Sequence, residues 1–207
     1  MNRMAMMGLS AALASMAAAS AATASVFAFH SNPGNEGLGS FTGNMEWIYP
    51  ADGTDCGQLV VSLTNTSPRA NGGYLTGFGF NAIDGIEVTL LGDDAEWSQI
   101  ANFSATPYGT FDWGAALGGN FLGGGSPKGG IAVGETRDFM FEICADAALL
   151  AVLDAGDFFE DDIGYGFVTR FKGFNDGGSD KVTGSVPAPG SIALLALAGL
   201  AQRRRRG

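Results

Sequence analysis

The sequence predicts an all-β fold, an antiparallel β-sandwich or jelly roll with Gly-rich loops and one short helix. Three observations carry this. Apolar residues alternate with polar ones instead of following a helical period. Turn chemistry rich in Gly, Asn and Asp punctuates the alternation. Glycine is abundant throughout, at 33 of 207 residues.

The strands follow in order. Phe41, Met45, Trp47 and Tyr49 share one parity around Thr42, Asn44 and Glu46. Leu59, Val61 and Leu63 alternate with Gln58, Ser62 and Thr64. Tyr74, Phe78 and Phe80 interleave with Leu75, Gly77 and Gly79, and Ile86, Val88 and Leu90 come next. Phe139, Phe141 and Ile143 stand beside Asp138 and Glu142, and Tyr165, Phe167, Thr169 and Phe171 alternate with Val168, Arg170 and Lys172. Asn71-Gly72-Gly73, Asp84-Gly85 and Asp176-Gly177-Gly178 supply turns. Residues 146–153, rich in Ala and Leu, read as the short helix. The Gly-rich run 114–130 reads as a long loop across one end of the sandwich. It is either a binding loop with open backbone or a plain connection pinned by Trp113, Phe121 and Leu122.

Both ends have the composition of processing segments. Residues 1–24 carry one basic residue, Arg3, and then an uncharged apolar run from Ala5. Ala22-Thr23-Ala24 closes the run with the small-x-small pattern that signal peptidase cleaves, which places the mature start at Ser25. A mature helix is the competing reading, and such a helix would lack a polar face. The sandwich domain then spans 25–185. The far end, 186–207, opens on Val186, Pro187, Ala188 and Pro189, where two prolines remove two backbone donors. A short apolar segment follows, and then Arg203, Arg204, Arg205 and Arg206. Twelve apolar residues rise about 18 Å as a helix, against about 30 Å of hydrocarbon, so the segment suits transient retention better than a lasting span. The arginine cluster resists translocation.

These features in this order resemble the PEP-CTERM sorting signal, in the Val-Pro-Ala-Pro variant. The resemblance implies bacterial export, retention in the inner membrane, cleavage near the Pro motif by an exosortase-type transpeptidase, and delivery to the cell surface or extracellular matrix. It also implies association with biofilm and exopolysaccharide. Ala188 stands where the family usually has Glu, which bears on the exosortase subtype. Within the body, phrases such as Asn71-Gly72-Gly73-Tyr74 and Phe111-Asp112-Trp113-Gly114 resemble uncharacterised secreted β-proteins with the same tail. That second resemblance implies fold and export, and no site.

Charge narrows the partners. Residues 25–186 hold six basic residues against all 21 acidic ones, a net of −15. Such a domain is repelled by phosphate backbones, which disfavours nucleic acid. Soluble behaviour in a polyanionic matrix, with divalent cations as bridges, is the compatible picture, and extracellular polysaccharide is the candidate macromolecular partner. Cys56 and Cys144 are the two cysteines. In an exported domain they suit a disulfide closing about 90 residues, and two separate buried thiols are the alternative.

For catalysis the residues offer little. His30 is the single histidine, near the mature N-terminus where fraying is the default. Gly-x-Ser-x-Gly is absent, and one histidine with two distant cysteines makes a poor zinc site. The expectation is a non-catalytic protein with no required cofactor. A polysaccharide-binding module is the alternative, and a glycoside hydrolase using paired carboxylates is the distant one. Ca²⁺ is the best metal candidate, at Asp154, Asp157, Glu160, Asp161 and Asp162, with Asn175, Asp176 and Asp180 around a Gly-Gly turn. A solvated acidic surface competes with that reading. Trp47, Trp97, Trp113, Tyr74, Tyr108 and Tyr165 would suffice for a sugar-stacking platform, and burial in the core is the competing assignment.

Overall fold

The computed structural model describes residues 22–49, 54–92, 96–123, 126–159 and 165–186. Among these, the chain forms β1 (Thr23–Ser31), β2 (Phe41–Tyr49), β3 (Cys56–Asn65), β4 (Gly72–Phe80), β5 (Glu87–Leu91), β6 (Trp97–Ser104) and β7 (Thr110–Leu117). After a 3₁₀ turn at Pro127–Gly129 come β8 (Ile131–Ala132) and β9 (Thr136–Cys144). The helix α1 (Ala147–Leu150), a second 3₁₀ turn (Ala155–Phe159), β10 (Phe167–Phe174) and β11 (Ser179–Ser185) complete the order.

The strands run antiparallel in the sequence β5-β9-β3-β2-β1-β11-β10-β4-β7-β6, with β8 added to β4. The path doubles over at the short β1–β11 pairing, His30 opposite Ser185 and Ser31 opposite Gly184. Rings of the two layers then meet face to face. Phe29 on β1 lies 4.6 Å from Phe167 on β10, Phe78 on β4 lies 4.7 Å from Phe139 on β9, and Phe80 lies 5.4 Å from Phe141. The fold is all-β and antiparallel, as the alternation predicts. Each fully buried ring contributes about 2 kcal/mol of hydrophobic stabilisation.

Period two explains which side chains go inward. Met45, Trp47, Leu59, Val61 and Leu63 are buried, while Thr42 and Gln58 between them stay exposed. Asn65 is the polar exception at the end of β3. Its side chain donates to the Ile131 and Gly73 carbonyls and accepts from the Ser67 N–H, which ties the two layers together at that end. The helix is shorter than residues 146–153: one turn, capped by the Asp146 carboxylate accepting from the Ala148 N–H at 2.8 Å.

The Gly-rich run 114–130 departs from the loop expectation. Gly114, Ala115, Ala116 and Leu117 belong to β7, between β4 and β6. Glycine serves close approach here: a Cβ on Gly114 would sit 2.0 Å from the Phe78 carbonyl oxygen. The loop begins at Gly118 and Gly119, whose φ angles of 66° and 70° suit residues without a Cβ. It returns Phe121 to the surface of the second layer, 4.8 Å from Phe103.

The N-terminus is also ordered further than fraying allows. Thr23 pairs with Tyr49 and Ala24 with Ile48, so β1 starts ahead of Ser25. Residues 1–21, 160–164 and 187–207 lie outside the described residues, and with them most of the segment expected as a signal peptide, Glu160, Asp161, Asp162, Pro187, Ala188, Pro189 and the four arginines. Among the described residues no helix is long and apolar enough to cross a membrane.

Candidate functional site

The structure brings Cys56 and Cys144 together as a disulfide across the β3–β9 pair, where they sit directly opposite each other. Glu142 lies beside the two sulfurs. Both sulfurs are spent on each other, so this trio offers a metal one carboxylate and no thiolate.

The carboxylates considered for Ca²⁺ have local duties. The Asp157 side chain accepts from the Asp154 N–H at 2.8 Å, and the Asp154 side chain from the Gly156 N–H at 2.6 Å, which caps the 3₁₀ turn. Asp176 accepts from the Gly178 N–H within its turn. Asn175 donates to the Ala70 carbonyl. Asp180 is buried, and its two oxygens accept from the N–H groups of Glu36, Leu38, Gly39 and Lys181. That carboxylate pins the loop between β1 and β2 onto β11.

His30 stands on the outer face of the first layer, in a cross-strand row with Thr42, Thr64 and Thr136. Its Nε2 is 3.4 Å from the Ser185 hydroxyl. No carboxylate orients the other ring nitrogen among the described residues. Of the aromatic residues, Trp47 and Trp97 are core. Tyr108 and Tyr165 are half-buried on the outer face of the second layer, packed edge to face at 5.1 Å. They flank a small apolar cluster of Ile100, Phe111, Phe121 and Val168.

Next to these tyrosines lies a cationic cleft that no local pattern in the sequence marks. Arg170 and Lys172 are two apart on β10 and half-buried, and Lys181 on β11 pairs directly opposite Arg170. On the other side Arg170 faces Gly77 of β4, which adds no side chain to the crowding. The cleft holds about 190 Å³ and is walled by Arg170, Lys181, Asn35, Thr106 and Ser179, with the carboxylates of Glu36 and Asp180 at its rim, while Lys172 stands beside it and lines a separate hollow with Thr76 and Asn120. Lys181 Nζ donates to the Thr106 carbonyl, and the Tyr108 hydroxyl donates to the Lys181 carbonyl at 3.3 Å. Burial lowers the pKa of all three cations, and the Arg170 charge lowers both lysines further. Burial raises the Tyr108 phenol, with Asp180 and then Tyr165 adding to the shift. Arg170 Nε is buried and has no hydrogen-bond partner among the described residues. The signal available in the sequence is the Arg-x-Lys spacing; what it cannot show is Lys181 alongside.

No protein-family model, curated protein or solved structure matches the chain.

Proposed function

We propose that this is a non-catalytic protein of the bacterial cell surface or extracellular matrix, exported by its N-terminal leader and sorted by an exosortase-type transpeptidase at its C-terminal Pro motif. The observation that carries the reading is the Cys56–Cys144 disulfide inside the sandwich, because such a bond persists in oxidising compartments outside the cytoplasm. The resemblance of residues 186–207 to a sorting signal supports it further. β11 ends at Ser185, one residue before Val186 opens the motif, so the last strand is complete before the prolines begin.

The test is the intact mass of the protein recovered outside the cell. Removal of the leader and a C-terminus near Val186 are expected. A secreted form that still ends at Gly207 refutes the sorting role. Replacing Pro187 and Pro189 with alanine leaves export intact and accumulates uncleaved protein in the inner membrane. A polysaccharide-binding module is the second reading, favoured by the half-buried tyrosines beside a cationic cleft. A hydrolysis screen against the source polysaccharide distinguishes both from a glycosidase, since turnover selects the enzyme.

A further inference from the structure

We propose that the cleft of Arg170 and Lys181, with Lys172 beside it on the same strand face, is a binding site for an acidic polysaccharide, and that it takes sugar carboxylates of the uronate type. The proposal rests on the extracellular reading above for the choice of a glycan. The anion chemistry stands on the cleft alone.

Charge distribution is the first argument. Three of the six basic residues between 25 and 186 gather on one face of two adjacent strands. A fourth, Arg137, lies over the rings of Trp97 and Phe139 on another part of the fold. Like charges held side by side repel, and among the described residues none of these three cations forms an ion pair. The neighbouring Asp180 carboxylate is occupied by four backbone N–H groups. Glu36, also on the cleft wall, accepts from the Asn35 side chain. A bound anion would supply the missing countercharge.

Hydrogen bonding is the second argument. Buried polar atoms in folded proteins are nearly always partnered, and an exception calls for a specific cause. Two buried side-chain nitrogens lack partners among the described residues, Trp47 Nε1 and Arg170 Nε. Trp47 is enclosed in the core, whereas Arg170 lines the cleft. A guanidinium pairs with a carboxylate through two parallel N–H donors, which matches a planar anion laid against Arg170. The Lys181 ammonium is steered by the Thr106 carbonyl and keeps further donors free for the ligand.

Spacing decides for a polymer with separated charges. Arg170 and Lys172 stand about 7 Å apart along β10, and Lys181 is about 5 Å from Arg170 across the strands. At about 190 Å³ the cleft is smaller than the usual small-molecule pocket and admits a single sugar unit of a longer chain. One carboxylate can sit on Arg170 and Lys181 while Lys172 meets the next. The polar walls, Asn35, Thr106 and Ser179, suit the hydroxyls between carboxylates. Duplex nucleic acid brings a charge about every 1.7 Å to a surface that is otherwise negative, so repulsion beyond the cleft works against it. A polyuronate carries fewer charges, and at physiological salt screening over about 8 Å confines its interaction to the cleft.

The experiment measures binding of the purified full chain to polygalacturonate, to the same polymer with its carboxyls reduced to alcohols, and to duplex DNA. Binding to the polyuronate that weakens with added salt, and none to the reduced polymer, is the expected result. The double variant Lys172→Gln/Lys181→Gln should lower affinity about tenfold, and Arg170→Gln at least as much. Thermal unfolding of each variant is followed in parallel, and the double variant alone decides the question if Arg170→Gln fails to fold. No binding to polygalacturonate at low salt, equal binding by the double variant, equal binding to the reduced polymer, or tighter binding to DNA would each overturn the proposal. None of these outcomes changes the C-terminal mass of the secreted protein, so failure here is separable from failure of the sorting reading.

Discussion

Gln99 on β6 joins Leu90 on β5 through its side chain: the Leu90 N–H donates to Gln99 Oε1 at 2.7 Å. The same amide returns a bond from Nε2 to the Val88 carbonyl at 2.8 Å. β5 and β6 are the two ends of the strand path, so one side chain stands in for a ladder where the layers meet. At the opposite edge the layers join by backbone pairing of β1 with β11. Gln99→Ala leaves both β5 groups to find water at a partly buried seam and should cost about 1–2 kcal/mol in denaturant unfolding. It should also speed amide exchange at Leu90. An unchanged midpoint would show that the seam adds nothing to stability.

The disulfide closes a loop with a sequence separation of 88. On the chain-entropy model its removal destabilises by about 4 kcal/mol. The double variant Cys56→Ser/Cys144→Ser should show this loss by urea titration, and reduction of the natural protein should reproduce it. A loss under about 1 kcal/mol would mean that the unfolded chain is already compact there.

Asp180 organises residues 36–39 from a distance of more than 140 positions in sequence. Asp180→Asn keeps the shape but turns one acceptor into a donor facing backbone N–H groups. The expected loss is about 2–3 kcal/mol, with faster exchange at the Leu38 and Gly39 amides. Slow exchange retained at those amides would contradict the role.

Gly114→Ala tests the close approach of β7 to β4. A methyl placed 2.0 Å from the Phe78 carbonyl oxygen forces the strands apart. Destabilisation of about 3 kcal/mol is expected. The same change at Gly118 meets nothing within 4 Å but sits at positive φ, so its smaller cost comes from backbone strain alone.

Polyuronate binding should depend on pH at both limits. Lys172 and Lys181 titrate below the ordinary lysine value, because of burial first and Arg170 second. Their charge, and with it the affinity, is complete at neutral pH and falls as pH rises through those lowered values, earlier than for a free lysine. Arg170 also titrates below its ordinary value, through burial. Glu36, Asp180 and Tyr108 face the same region, and Tyr108 ionises late, so its charge does not set the upper limit. On the acid side binding is lost below about pH 4, where uronates take up protons. Titrating affinity from about pH 3 to about pH 11 checks both limits, and a flat profile would exclude an ionic ligand.

Much of the sheet is legible in the sequence because large apolar side chains recur at alternate positions of its strands. Period two marks β2, β3, β4, β9 and β10 through Met45, Leu59, Phe78, Phe141 and Phe167, and Asp146 marks the helix start. β1, β6 and β11 carry no such mark. Their outward faces are mixed, and Val182, Thr183 and Gly184 are buried in succession, which blurs the alternation. β7 has the composition of a loop partly because Gly114 is small for a reason no window reveals: the backbone of β4 passes against it. The cleft is illegible for a related cause. Arg170 and Lys181 meet only through the register of the β10–β11 hairpin, and the loop that Asp180 anchors comes from the other end of the chain. Composition and period determined the class of fold, the acidic character and the pair of cysteines. Which charges stand together was decided by strand register, and which glycines are strand was decided by pairing between distant segments, whose free energy depends on neighbours that local sequence does not contain.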